Sequence, residues 1–242
     1  MNHLQYSYYY LREYFFPQNC GICRSYLLTK KEAFFGLCNN CREKIIFLNE
    51  PRCCSCGRPL ISEFNQCLTC RISAETEPLI LDKMISIFPY TGIYIQLLSA
   101  FKYKKSLGTG NFLSEQIIKA IELFPNENIN DFTLVPVPPR PGKIRKSGWD
   151  QILALSHLIS QRYNSPKIFP CLERKVSQTQ KKLDRNDRKI NLKGRIIAYK
   201  KPPQNCILFD DVITTGSTFN ACAHALKQAG AEKIYGICLF YD

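Results

Sequence analysis

The sequence contains no apolar run approaching about eighteen residues, which excludes a membrane-spanning helix. Nor is an export signal expected. The first seventeen residues, MNHLQYSYYYLREYFFP, place Arg12 and Glu13 where an apolar signal core should lie, and no small-residue cleavage site follows. The chain is therefore expected in the cytoplasm, where its 13 cysteines cannot be a secreted disulfide framework. No Walker loop and no complete G-x-G-x-x-G are present, because the Gly108/Gly110 pair has no third glycine. What remains is ordinary globular material: 242 residues, 45% hydrophobic and 22% charged, enough for one full-sized domain and a small satellite.

Acidic residues are scarce in one quarter of the chain. From Arg140 to Lys201 there are 17 basic and 4 acidic side chains, whereas the rest holds 16 of each. A segment with a net charge of +13 inside an otherwise neutral chain points to a polyanion, either metabolite phosphates or a nucleic acid backbone. A solvated basic surface would account for the charge as well.

Eight of the cysteines form four C-x2-C pairs: Cys20/Cys23, Cys38/Cys41, Cys53/Cys56 and Cys67/Cys70, separated by 14, 11 and 10 residues. These gaps let two knuckles meet around one tetrahedral ion, so eight thiolates imply two Zn2+ sites. Spacing leaves sequential and cross-braced ligation open, and Cys54 can exchange with Cys53 as a ligand. No His, Asp or Glu stands at a fourth position, so the sites are expected to be closed and structural. About fifty residues have too little core to stand alone, and about 10–16 kcal/mol of metal binding per site offsets the chain entropy. Residues 1–75 are thus expected to form an aromatic lead-in helix and a small zinc module. Its balanced charge does not by itself assign it to nucleic acid.

From residue 80 to 242, short apolar runs alternate with helical stretches, which predicts an α/β domain with an open, mainly parallel sheet and helices on both faces. Strands are expected at 84–88, 132–137, 207–210 and 233–240, and helices at 93–103, 112–124, 151–163 and 217–230, the last closed by Gly230.

The junction ILFDDVITTGSTFNA (207–221) carries the most chemistry. An apolar strand ends in Asp210 and Asp211, and the turn Thr214-Thr215-Gly216-Ser217-Thr218 opens a helix. Ligands of open parallel sheets bind beyond the carboxyl ends of strands. Such a turn offers backbone N–H groups, hydroxyls and a helix dipole to one phosphate. Two carboxylates beside a phosphate cost about 1–4 kcal/mol. A ribose 5-phosphate resolves this: its phosphate sits in the turn, its hydroxyls donate to the carboxylates, and Mg2+ absorbs the remaining charge. A simple helix N-cap would explain Ser217 but neither the paired aspartates nor the doubled threonine.

FDDVITTGST resembles the phosphoribosyl pyrophosphate (PRPP) motif of type I phosphoribosyltransferases, and the cysteine module resembles the double zinc ribbon of the ComF competence-protein family. PVPPRPGKIRKSGWDQ (136–151) is similar to that family's segment after the second strand. The pattern Arg174, Ser177, Gln180, Leu183, Arg188 and Asn191 resembles its long loop. The family usually has Arg-Gly-Phe-Asn-Gln where this chain has Ser147-Gly148-Trp149-Asp150-Gln151.

The resemblance implies a PRPP-binding fold acting on single-stranded transforming DNA, together with other DNA-uptake proteins. Asp210 and Asp211 would face the ribose, and residues 214–218 would hold its phosphate. Pro138, Pro139 and Arg140 would line the pyrophosphate site, with Arg174 and Lys175 beginning the loop that closes over it. An active transferase would use Asp210, Asp211 and Arg140 as its catalytic set and pass phosphoribosyl to an unknown acceptor. Departing pyrophosphate would be stabilised by Mg2+ and cations. No residue is an obvious base, since His157 and His224 fall within expected helices. For nucleic acid, the candidates are Arg145, Lys146, Trp149, Lys181, Lys182, Arg185 and Arg188. From Arg174 to Arg195 nine basic and two acidic residues occur without an aromatic, so that stretch offers charge rather than a stacking platform. Trp149 can stack a base or pack in the core.

Overall fold

A computed structural model describes residues 18–46, 51–60, 63–74, 79–124, 128–175 and 194–242. The aromatic segment 1–17 and the stretch 176–193 lie outside them, so the lead-in helix and the positions Ser177, Gln180, Lys181, Lys182, Leu183, Arg185, Arg188 and Asn191 fall outside the description. The chain divides into two compact units, one made of residues 1–46 and 91–113, the other of residues 47–90 and 114–242. The sequence boundary expected at 75–80 thus lies inside the second unit, which groups the second cysteine ribbon with the sheet.

In the first unit, helices α1 (Lys30–Phe35) and α2 (Asn39–Glu43) follow the first knuckle. A capping box starts α1: Thr29 Oγ1 accepts from the Glu32 N–H, and Glu32 reaches back to the Thr29 N–H. Glu32 also accepts from Asn39 N at 2.8 Å, so one buried carboxylate serves the first turns of both helices. That bond is the main reason its pKa is lowered. Gly36 ends α1 in the left-handed region, and a Cβ there would meet Thr109 N at 2.9 Å, while one on Gly108 would meet Gly36 N at 2.6 Å. Gly108, half of the incomplete dinucleotide fingerprint, is therefore a packing glycine.

The second unit contains a five-stranded sheet built from β1 (Lys83–Pro89), β2 (Thr133–Pro136), β3 (Lys167–Ile168), β6 (Asn205–Ile213) and β7 (Lys233–Tyr241). Their spatial order is β1-β7-β6-β2-β3, and every pairing is parallel. The fold is α/β with a parallel central sheet, as the alternating pattern predicts. The central strands read as apolar runs because they are covered: Leu134, Leu208, Phe209, Ile234 and Ile237 are fully buried. Helix α3 (Leu68–Ala74) belongs to the second ribbon. Helices α4 (Gly92–Lys102) and α5 (Leu107–Ile121) follow β1, and α5 begins five residues before its expected start. Helix α6 (Lys143–Ser147) and helix α7 (Gln151–Arg162) join β2 to β3, while α8 (Ser217–Gln228) joins β6 to β7. A small antiparallel pair, β4 (Leu172–Arg174) and β5 (Ile196–Ala198), was not legible in the sequence because three-residue strands carry no periodicity.

The second ribbon covers the outer edge of β1. Ser86 N donates to Gly57 O, Ser86 Oγ donates to Cys56 O, and Arg52 Nη1 donates to the carbonyls of both Gly57 and Ser86. An open strand edge is a hazard for unwanted pairing, and here a metal-type loop occupies it. Gly57 is obligatory at this contact, since its φ is +68° and a Cβ would fall 2.1 Å from Met84 O.

Candidate functional site

The thiols gather in sequence order: Cys20, Cys23, Cys38 and Cys41 form one cluster and Cys53, Cys56, Cys67 and Cys70 the other, with the sulfurs of each set within 4.8 Å of one another. Ligation is therefore sequential. A tetrahedral Zn2+ with bonds of about 2.3 Å needs sulfurs about 3.8 Å apart. Cys23 and Cys38 sulfurs lie at 3.6 Å, and those of Cys56 and Cys67 at 3.8 Å. Cys54 is exposed and its N–H bonds Asn65 O, so Cys53 is the ligand. The thiols alone make an unbalanced set. Hydrogen bonds from Ser25 pull Cys23 down to about 6, and the Cys56 thiol pulls Cys53 down to about 4. Burial pushes Cys41 up and Cys70 up to about 12, while Cys56 is raised first by its bond to Cys53. A divalent cation lets all four ionise, and the two four-cysteine sets are structural zinc sites.

The two knuckles repeat one another, which sequence reading missed. Cys20 N bonds Ser25 O and Arg24 N bonds Cys20 O; 33 residues later Cys53 N bonds Arg58 O and Gly57 N bonds Cys53 O. The flanking bridges Asn19–Tyr26 and Arg52–Pro59 match as well. The signal was available as the recurrence of C-x2-C at that interval.

The sheet order creates a second site. From β6 the chain crosses to β7 on one side, and from β2 it crosses to β3 on the other, so the connections diverge between β2 and β6. Ligand crevices of open α/β sheets form at such a point. Beyond the carboxyl ends of these two strands lie 138–140 and 214–218, with Asp210 and Asp211 among the last residues of β6 itself. Pairing continues one residue past β2, as Val137 N donates to Phe209 O.

Strand β6 runs on to Ile213, so Asp210 and Asp211 lie inside its final stretch rather than after it. Asp211 N donates to Asp210 Oδ1 at 2.8 Å. Burial, then the neighbouring Asp211 charge, raises the Asp210 carboxyl well above the usual range. The turn that follows exposes Thr214 and Thr215 and buries Gly216. Gly216 is the N-cap of α8 with φ +75° and brings no capping side chain, while Thr215 Oγ1 accepts from Ser217 N at 3.4 Å. Ser217 is thus the first helical residue, and its hydroxyl lies 2.9 Å from Thr215 Oγ1. Leu79 seats the turn from below: a Cβ on Gly216 would meet Leu79 Cδ2 at 2.6 Å, and Leu79 also packs on the cysteine cluster of the second ribbon.

Past the end of β2 is a cavity of about 500 Å³ whose described lining includes Pro138, Pro139, Arg140, Arg145, Leu172 and Arg174. The sequence-derived pyrophosphate residues are therefore brought together, whereas Asp210, Asp211 and 214–218 are not part of that lining. Burial lowers the Arg174 pKa, its Nε is buried without a hydrogen-bond partner, and the charges of Arg140, Arg195 and Asp210 all reach it. Three arginines sharing one neighbourhood repel each other unless an anion joins them. Lys175 is exposed, and its N–H bonds Arg195 O.

On α6, Arg145 and Lys146 are exposed, between the left-handed glycines Gly142 and Gly148. Trp149 is half-buried with its indole nitrogen away from solvent. His157 and His224 both face outward on their helices. Sequence reasoning assigned nothing to Lys143, Asp150 and Gln151, although they lie in the quoted 136–151 segment. Asp150 caps α7, accepting from Ile152 N and Leu153 N at 3.0 and 3.1 Å, and pairs with Lys143 at 2.6 Å. Lys143 also donates to Gln151 Oε1, and Gln151 Nε2 donates to Asp211 Oδ2 at 3.2 Å.

Residues 11–72 match the double zinc ribbon domain family. Over 227 residues the chain is 30% identical to Competence protein F of Haemophilus influenzae, covering 91% of this chain and 95% of that protein. It is 27% identical to Competence protein ComFC of Bacillus subtilis, over 80% of this chain and 79% of that one. Identity to Competence protein ComFC of Streptococcus pneumoniae is 22%, over 87% and 90%. No helix among the described residues is long and apolar enough to cross a membrane.

Proposed function

The chain belongs to the ComF family of competence proteins, and from that membership we propose that it binds PRPP with Mg2+ and acts on single-stranded transforming DNA in the cytoplasm. The observation that carries the PRPP reading is the crevice at the sheet's switch point. There the N-terminus of the twelve-residue α8, opened by left-handed Gly216, follows the paired carboxylates Asp210 and Asp211 of β6. Residues 214–218 hold the 5-phosphate, and the carboxylates accept from the ribose hydroxyls. Arg140 and Arg174 receive the diphosphate, with Lys175 at its edge, and Mg2+ bound along with PRPP meets the remaining charge. Calorimetry tests this: Asp210→Asn with Asp211→Asn should weaken PRPP binding about tenfold or more, which corresponds to about 1.4 kcal/mol. Unchanged binding refutes the assignment.

The DNA reading rests on the competence names of the relatives and on the concentration of basic charge at 140–201. Arg145 and Lys146 on α6, with Lys181, Lys182, Arg185 and Arg188, supply phosphate contacts without base preference, and other DNA-uptake proteins are the partners. Affinity for single strands should fall with salt at a slope of about −0.7 per contact. A second reading, transfer of phosphoribosyl from PRPP to an acceptor, is favoured by the arginine-lined cavity, which suits departing pyrophosphate. Pyrophosphate release on mixing PRPP with candidate acceptors separates it from binding alone.

A further inference from the structure

Resting on the PRPP reading, we infer that Gln151 is the positioning residue for Asp211, with its amide orientation imposed by Lys143. Gln151 is the first residue of α7 and is 2% exposed, so its polar groups must find partners within the protein. Lys143 Nζ has only protons to give and therefore faces Oε1. That leaves Nε2 to point the other way, where it donates to Asp211 Oδ2. A carboxylate can only accept, so this chain of bonds has one self-consistent arrangement. Lys143 is fixed in turn by Asp150, whose side chain is 2% exposed and which already caps α7. Withdrawing Lys143 would strand a buried carboxylate, so it serves the crevice while its neighbours Arg145 and Lys146 face solvent. The consequence is that Asp211 stands held from one side before any ligand arrives, turned to accept from a pentose hydroxyl without paying for its own ordering.

Gln151→Glu tests this with little change of shape: it keeps an acceptor for Lys143 but removes the donor that faces Asp211. PRPP affinity measured by calorimetry should fall about tenfold or more, with zinc content and far-UV circular dichroism unchanged. Lys143→Met should lose affinity similarly, and Lys143→Arg, which still donates to both partners, should restore most of it. If the wild type binds PRPP and both Gln151→Glu and Lys143→Met bind it equally well, the inference is overturned while the PRPP reading stands. If the wild type does not bind PRPP, that reading fails, and the bridge is decided by NMR. The Gln151 side-chain amide resonances should move on Asp211→Asn and on Lys143→Met; resonances that stay in place overturn it.

Discussion

The first knuckle of one ribbon, residues 19–26, and that of the other, residues 52–59, follow one backbone path at an interval of 33 residues, yet Arg24 stands in the left-handed position that Gly57 occupies in the copy. Both have φ +68°. Arg24 is exposed and tolerates a side chain there, whereas Gly57 lies against the backbone of β1 and tolerates none. The knuckle is therefore a portable unit written by local spacing and a metal. Its surroundings are not portable: the first ribbon packs with α4 and the start of α5, and the second closes a sheet edge and supports Leu79 beneath the 214–218 turn.

Removing metal from one ribbon at a time should break that comparison most strongly. Cys38→Ser is expected to halve the zinc found by elemental analysis and to unfold residues 18–46 together with 91–113, because a structural site contributes about 10–16 kcal/mol. Cys67→Ser should halve the zinc too, but hydrogen exchange should rise along β1 and at the 214–218 turn instead. Identical exchange maps for the two variants would mean that the ribbons share one support. Next in size is Gly57→Ala, which brings a Cβ to 2.1 Å from Met84 O and forces φ +68° on an alanine. A loss of about 3 kcal/mol or more in chemical denaturation is expected. The smallest effect belongs to the matching change, Arg24→Gly. Relief of a left-handed arginine, less the extra freedom glycine gains when unfolded, should stabilise by about 0.5–1 kcal/mol. A destabilised Arg24→Gly would show that the two positions are not equivalent.

Much of this was legible early for reasons that particular residues make plain. Thiolates at C-x2-C spacing have few uses outside a metal, so Cys20 to Cys70 could be read without coordinates. Strand β1 and helices α4, α7 and α8 came within a few residues because buried runs and 3.6-residue periodicity are local properties. The extension of β6 through Asp210 and Asp211 was hidden, since two carboxylates look like the end of a strand until β7 is found beside them. Lys143 and Gln151 were hidden for a similar reason: a buried glutamine has no signature until its partner, sixty residues further on, is placed beside it.

Taken alone, the sequence determined that two tetrathiolate ribbons precede a parallel α/β sheet, and that a carboxylate pair followed by a glycine turn opens its last helix. These follow from interactions between residues close in the chain, where spacing and residue type suffice. Only the tertiary structure decided which cysteines share an ion, which ribbon stands at the sheet edge, and that Pro138, Pro139 and Arg140 share a cavity with Arg174. Those outcomes depend on which strands become neighbours, and strand order is settled by burying a common core between segments far apart in sequence.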